Sequence, residues 1–209
     1  MARAPSSGGK SRLAPHLSSS RLAALREALL ADTLTALADL ADVTIFFTPD
    51  DAEQEIAALA APAMRLVPQG RGDLGIRMLH ALRVLLSAAP DGAVLVGSDI
   101  PLLTADHVRE AADTLQVRGG VVLGPADDGG YYLIGMREPH AALFERIVWG
   151  TESVLTDTLR AAERAGVEAR LVGTACDVDT IDDLRRIQRD LATAPDGACP
   201  ALRRWLSES

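Results

Sequence analysis

The chain has 209 residues, of which 48% are hydrophobic, 24% charged and 3% aromatic, with a formal net charge of −8. That length suits one domain with a short extension, and the acidic balance with so few aromatics argues against a nucleic-acid partner. No apolar run reaches the length of a membrane span, Met1-Ala2-Arg3-Ala4-Pro5 lacks the apolar core of a signal peptide, and Cys176 and Cys199 build no disulfide framework, so no membrane partner and a cytoplasmic setting are expected.

The first informative stretch is Pro5-Ser6-Ser7-Gly8-Gly9-Lys10-Ser11-Arg12-Leu13, a small-residue loop carrying two cations. Gly8 and Gly9 let backbone approach a ligand and offer N–H groups to phosphate oxygens. The glycine-to-lysine spacing is not that of a Walker A loop. Lys10 is the only lysine among 21 cationic residues, and a compact ammonium differs from a guanidinium where a point charge must meet phosphate. A compositional bias that spared one lysine is the competing explanation. Such a loop normally follows a buried strand, and nothing precedes it here. The first strand of the sheet is therefore expected to be missing from this chain, unless the fold manages without it.

Ser18 to Ser20 offer capping oxygens. Leu22, Leu25, Leu29, Leu30, Leu34, Leu37 and Leu40 then recur at three- and four-residue steps, which predicts an amphipathic helix over 21–40. A strand is predicted over 43–48, a short helix ending near Leu59, and a strand over 64–68. The loop Gln69-Gly70-Arg71-Gly72-Asp73 feeds a helix over 74–88, a setting that suits nucleotide contact at a helix N-terminus. A plain strand–helix connector reads equally well.

Val94-Leu95-Val96-Gly97-Ser98-Asp99-Ile100-Pro101 organises the chain. The short β-branched run reads as a buried strand, and Pro101 stops its ladder. Asp99 falls just past the strand end, where open α/β sheets bind ligands and where a carboxylate can hold a divalent cation against phosphate. An Asp that merely starts a turn would use the same letters.

A helix over 105–116 and a strand over 120–124 follow. Pro125-Ala126-Asp127-Asp128-Gly129-Gly130-Tyr131-Tyr132 packs acids, glycines and scarce aromatics together, and is read either as a substrate-facing loop or as a tight Asp-Gly hairpin turn. A helix over 152–165 ends at Gly166, and a strand over 169–172 leads to Cys176-Asp177-Val178-Asp179-Thr180. Carboxylates at alternate positions of extended backbone point the same way, which suits Mg²⁺ or Mn²⁺. Thr180 with Asp183 also reads as a capping box. The tail from Thr193 is expected to be peripheral. The strand–helix alternation predicts a mostly parallel, three-layer α/β/α domain over 1–192 with a C-terminal extension over 193–209.

Taken together, Lys10-Ser11-Arg12-Leu13, Gly97-Ser98-Asp99-Ile100-Pro101, Gly129-Gly130-Tyr131-Tyr132 and Asp177-Val178-Asp179-Thr180 resemble the radical-SAM/selenodomain-associated transferase family, within the nucleotide-diphospho-sugar transferase superfamily. The N-terminal piece is also similar to 2-phospho-lactate guanylyltransferases. The resemblance implies a GT-A-like (Rossmann-like) fold and a nucleotide or nucleotide-sugar with a small-molecule acceptor as partners. It implies Mg²⁺ or Mn²⁺ held by Asp99, Asp177 and Asp179, with Lys10, Arg12 and Asp99 as the catalytic groups. Gly8, Gly9, Lys10, Arg12, Gln69 and Asp73 would meet the nucleotide, and Asp128, Gly129, Gly130 and Tyr131 the acceptor. Glycosyl transfer is the expected activity, with nucleotidyl transfer and non-catalytic nucleotide binding as the alternatives.

Overall fold

The structure, a computed structural model, describes residues 1–208. The chain divides into two units, each assembled from separated segments.

One unit comprises residues 2–68, 98–104 and the chain from Cys176 onward. Its sheet is parallel throughout, in the order β1 (Ala2–Arg3), β2 (Thr44–Thr48), β3 (Arg65–Pro68). A strand thus does precede the glycine loop, contrary to expectation. It is only two residues long, too short to show as an apolar run, and its register is set by pairing Ala2 with Phe47.

Helix α1 (Ser19–Leu37) begins where Ser18 accepts the N–H of Arg21. It is buried on two sides rather than one. Leu30 and Leu34 pack against Ala2, Ala4, Ile45 and Phe47 of the sheet, together with Ile56 of the short helix α2 (Glu53–Ala57). Leu22, Leu25 and Leu29 instead meet Leu184, Ile187 and Leu191. Burying one leucine side chain stabilises by about 1.5–3 kcal/mol, so a helix with leucines on both flanks suits an interior position.

The tail is not peripheral. Its Leu202 and Trp205 are buried in the same core as Leu25. The Arg21 guanidinium lies 3.8 Å from the centre of the Trp205 ring, and the Trp205 indole N–H donates to the Arg21 carbonyl at 3.1 Å.

The other unit holds residues 69–97 and 105–175 with Met1. It begins with α3 (Leu74–Ala88). Its four strands are β4 (Ala93–Val96), β5 (Val121–Pro125), β6 (Tyr131–Met136) and β7 (Ala169–Leu171), with α4 (Ala105–Arg118) before β5 and α5 (Val154–Arg164) before β7. The spatial order is β4-β6-β5-β7. Strand β6 runs antiparallel to both neighbours, whereas β5 and β7 are parallel. Tyr131–Met136 is a full strand, so the hairpin alternative describes 125–136. Two further helices, α6 (Ile181–Thr193) and α7 (Pro200–Ser207), belong to the first unit. Among the described residues no helix is long and apolar enough to cross a membrane.

Candidate active site

The glycine loop is built to aim one side chain. After β1 comes a tight turn over Pro5–Ser7, which Glu55 of α2 holds by accepting the Ser6 N–H at 2.7 Å and the Ser6 hydroxyl at 2.5 Å. Nothing local in the sequence marks Glu55, because its partner is 49 residues away. Gly8, Gly9 and Lys10 then take positive φ in succession, at 93°, 106° and 56°. Glycine adopts this region freely, while a lysine there is strained. A second turn over Ser11–Leu13, with the Leu13 N–H donating to the Lys10 carbonyl at 3.0 Å, locks that geometry, and Leu13 is fully buried.

The Lys10 ammonium lands between two carboxylates. It donates to Asp99 Oδ2 at 2.7 Å and to Asp179 Oδ1 at 2.9 Å. The lysine side chain is only 7% exposed, against 47% for Asp99 and 37% for Asp179. The cation therefore sits behind, with the acids partly open to water. Burial works against the charged ammonium, but the Coulomb attraction and hydrogen bonds of Asp99 and Asp179 outweigh it, and the Lys10 pKa is raised above its ordinary value.

Each carboxylate is placed by its neighbours. Asp99 lies three residues past the end of β4. It is flanked by Ser98, whose carbonyl accepts from Thr33 at 3.3 Å, and by the buried Ile100. Asp179 follows Val178, which is fully buried, so the alternation expected for 177–179 is anchored from its apolar side. Asp183 accepts the N–H groups of Asp179 and Thr180 at 3.1 and 2.7 Å, completing the capping box of α6.

Two of the three expected metal ligands therefore meet at one cation. Asp177 is half-buried, and among the described residues no group of three or more His, Cys, Asp and Glu is arranged to hold a metal ion. Asp99 and Asp179 are the pair that shares Lys10. Two oxygens converging on one point within 3 Å still fit Mg²⁺ or Mn²⁺ in the mode where one or two carboxylates combine with water and substrate phosphates. Arg12 is exposed on the Ser11–Leu13 turn.

In the other unit the expected residues have structural duties. Asp73 caps α3 by accepting the Ile76 N–H at 2.9 Å. Gln69 is buried, with its side-chain oxygen taken by Arg77 at 2.8 Å. Both side chains are thus engaged within the fold, one at a helix cap and one in an amide–guanidinium bond. Asp128 is exposed and accepts the Gly130 N–H at 2.8 Å, shaping the hairpin turn. Gly129 is there of necessity: at φ 85° an added Cβ would lie 2.2 Å from the Glu152 carbonyl oxygen.

Tyr131 does not face outward. Its hydroxyl is buried against the Thr158 side chain, and its ring meets Trp149 edge-on at 6.4 Å. Burial raises its pKa strongly. The expected acceptor contact through this hydroxyl is thus closed.

The family described as "Uncharacterized protein conserved in bacteria (DUF2064)" matches residues 17–151. A 2-phospho-L-lactate guanylyltransferase of Methanothrix thermoacetophila is 32% identical over 187 residues, spanning 87% of this chain and 79% of that protein. A phosphoenolpyruvate guanylyltransferase of Sphaerobacter thermophilus is 30% identical over 200 residues, spanning 92% and 91%. A crystal structure from Desulfovibrio desulfuricans G20, described as a candidate nucleotide-diphospho-sugar transferase, superposes with a TM-score of 0.87 at 33% identity, over 97% of this chain and 90% of that one. The expected fold class holds, and a nucleotide-utilising transferase is supported. The preference for glycosyl transfer is not, since both curated relatives are named guanylyltransferases. By this match over most of its length, the chain belongs to the DUF2064 family.

Proposed function

We propose that the protein is a nucleotidyltransferase that moves a guanylyl group from GTP onto the phosphate of a small phosphorylated carboxylic acid. The observation that carries this reading is the Lys10 cluster: one buried ammonium in a glycine loop, flanked by two carboxylates. The names of the two curated relatives supply the base and the acceptor class. 2-Phospho-L-lactate and phosphoenolpyruvate are both three-carbon carboxylic acids bearing a phosphate ester.

In this reaction an acceptor phosphate oxygen forms a bond to the α-phosphorus of GTP. The bond from that phosphorus to the pyrophosphate bridging oxygen breaks, and its electron pair leaves on pyrophosphate. The difficulty is charge, because two anions must meet. Lys10 and Arg12, with the backbone N–H groups of Gly8 and Gly9, would receive phosphate oxygens and hold the reacting atoms in line. Asp99 and Asp179 would hold Mg²⁺ or Mn²⁺, which when bound supplies neutralisation of the phosphates and of the departing charge.

The test is a matrix of nucleoside triphosphates and nucleotide-sugars against three-carbon phosphorylated acids, read by pyrophosphate release and by the mass of the product. Pyrophosphate release with GTP and a product carrying a diphosphate bridge are expected. Release of a nucleoside diphosphate from a nucleotide-sugar, with no pyrophosphate from any triphosphate, would overturn the reading.

A further inference from the structure

We propose that Lys10 is an exchangeable occupant of the cation position between Asp99 and Asp179, so that a divalent metal enters only together with a nucleotide. The inference rests on the nucleotidyltransferase reading above and adds a binding order to it.

The ammonium takes one oxygen from each carboxylate, at 2.7 and 2.9 Å. A metal bridging those same oxygens would lie within a few ångströms of the ammonium, in a spot where Lys10 is almost wholly shielded from water. A dication and a buried ammonium so close repel strongly, which disfavours both at those two oxygens. Lys10 therefore swings out as a metal settles.

Swinging out is costly while no other anion is at hand, because the ammonium would leave two ionic partners and gain only solvent. A triphosphate changes that balance. It arrives with metal already coordinated and offers oxygens to which the four-carbon stem can carry the charge. Asp99 and Asp179 would then hold the metal, and the Lys10 ammonium would turn to phosphate. Each ligand favours the same rearranged state, which is a positive coupling between two binding events.

The arrangement also explains the choice of residue. A lysine presents a compact charge on a flexible stem that can change partners, whereas a planar guanidinium locks onto carboxylates. The chain uses arginine at every other cationic position. The strained φ of 56° at Lys10, the middle of two flanking turns, fixes where the stem starts and leaves its far end to move.

The experiment is titration of the protein with Mn²⁺ alone, free Mn²⁺ being read by electron paramagnetic resonance, for wild type, Lys10→Met, Lys10→Gln and Lys10→Arg. No turnover is needed, so the result is independent of whether the guanylyl acceptor has been identified correctly. Without nucleotide, wild type and Lys10→Arg should bind Mn²⁺ weakly, while Lys10→Met and Lys10→Gln should bind at least tenfold more tightly. Adding Asp179→Asn to either neutral variant should abolish that gain. Adding GTP to wild type, with no acceptor, should raise Mn²⁺ affinity at least tenfold. Unchanged or weaker Mn²⁺ binding by both neutral variants, each shown folded by its melting curve, would overturn the proposal. So would a wild type that binds Mn²⁺ equally tightly with and without GTP.

Discussion

Asp179 Oδ1 lies 2.9 Å from the Lys10 ammonium, although 169 residues separate the two in sequence. Asp99 completes the contact from 89 residues away. Replacing Asp99 by Asn keeps size and hydrogen bonding but removes one of the two charges on the shared cation. Pyrophosphate release is expected to fall about a hundredfold, equivalent to roughly 3 kcal/mol for a lost charged interaction, with little change in melting temperature because Asp99 is half-exposed. A variant with wild-type turnover and wild-type Mn²⁺ dependence would remove Asp99 from the chemistry.

Tyr131→Phe provides the opposite kind of test. The hydroxyl is buried against Thr158 without a well-formed hydrogen bond, so the folded protein carries its desolvation cost and gains little in return. Its removal is expected to leave stability unchanged or to raise it by up to about 1 kcal/mol, with turnover intact. A tenfold loss of turnover would restore the residue to the acceptor site.

Asp32, deep in α1, accepts the N–H groups of Ala201 and Leu202 at 2.9 and 2.8 Å, and so caps α7 from a distant part of the chain. Asp32→Ala leaves two N–H groups without acceptors and should cost about 2–3 kcal/mol in urea unfolding. Burial pushes the Asp32 carboxyl above its ordinary pKa, the hydrogen bonds from Ala201 and Leu202 only partly opposing it. Its folded value thus exceeds its unfolded one. The part of stability linked to its protonation is fully present below the ordinary carboxylate range and fades as pH rises through the raised value. Asp32→Asn should flatten this component of the stability–pH curve.

Asp183 has the reverse sign. Burial raises its pKa, but the hydrogen bonds from Thr180 and Asp179 and the charge of Arg186 prevail, and the net shift is downward. Its contribution is present above the unfolded carboxylate value and is lost as pH falls through the lowered one. Between pH 5 and pH 3, Asp183→Ala should lose less stability than wild type. Identical acid limbs for the two proteins would show that the capping box carries none of the pH dependence.

The periodic and punctuated parts of the chain were legible in its sequence. The helix over 74–88 falls where its spacing puts it, the Thr180–Asp183 box forms as read, and Gly166 follows α5 in the left-handed conformation. The acidic residues 99 and 179 were also recognisable, each standing near a strand end or on extended backbone. Their meeting on Lys10 was not, since a pairing over 169 residues leaves no local trace. Strand β1 was missed because two residues carry no period. Strand β6 was missed because the Asp-Gly-Gly letters ahead of it satisfied two explanations at once. Asp73 and Gln69 show the same ambiguity: side chains that suit a ligand also suit a helix cap and a buried amide bond.

The unit that carries Lys10 is stitched from three pieces, residues 2–68, 98–104 and 176 onward. During synthesis at about 5–20 residues per second, the lysine emerges roughly ten to thirty seconds before Asp179. Over that interval the nascent chain carries a cation without its full set of counter-charges and a leucine-rich α1 without its covering helices. Chaperone engagement should therefore concentrate on residues 2–68 and fade once the segment from 176 onward has joined them.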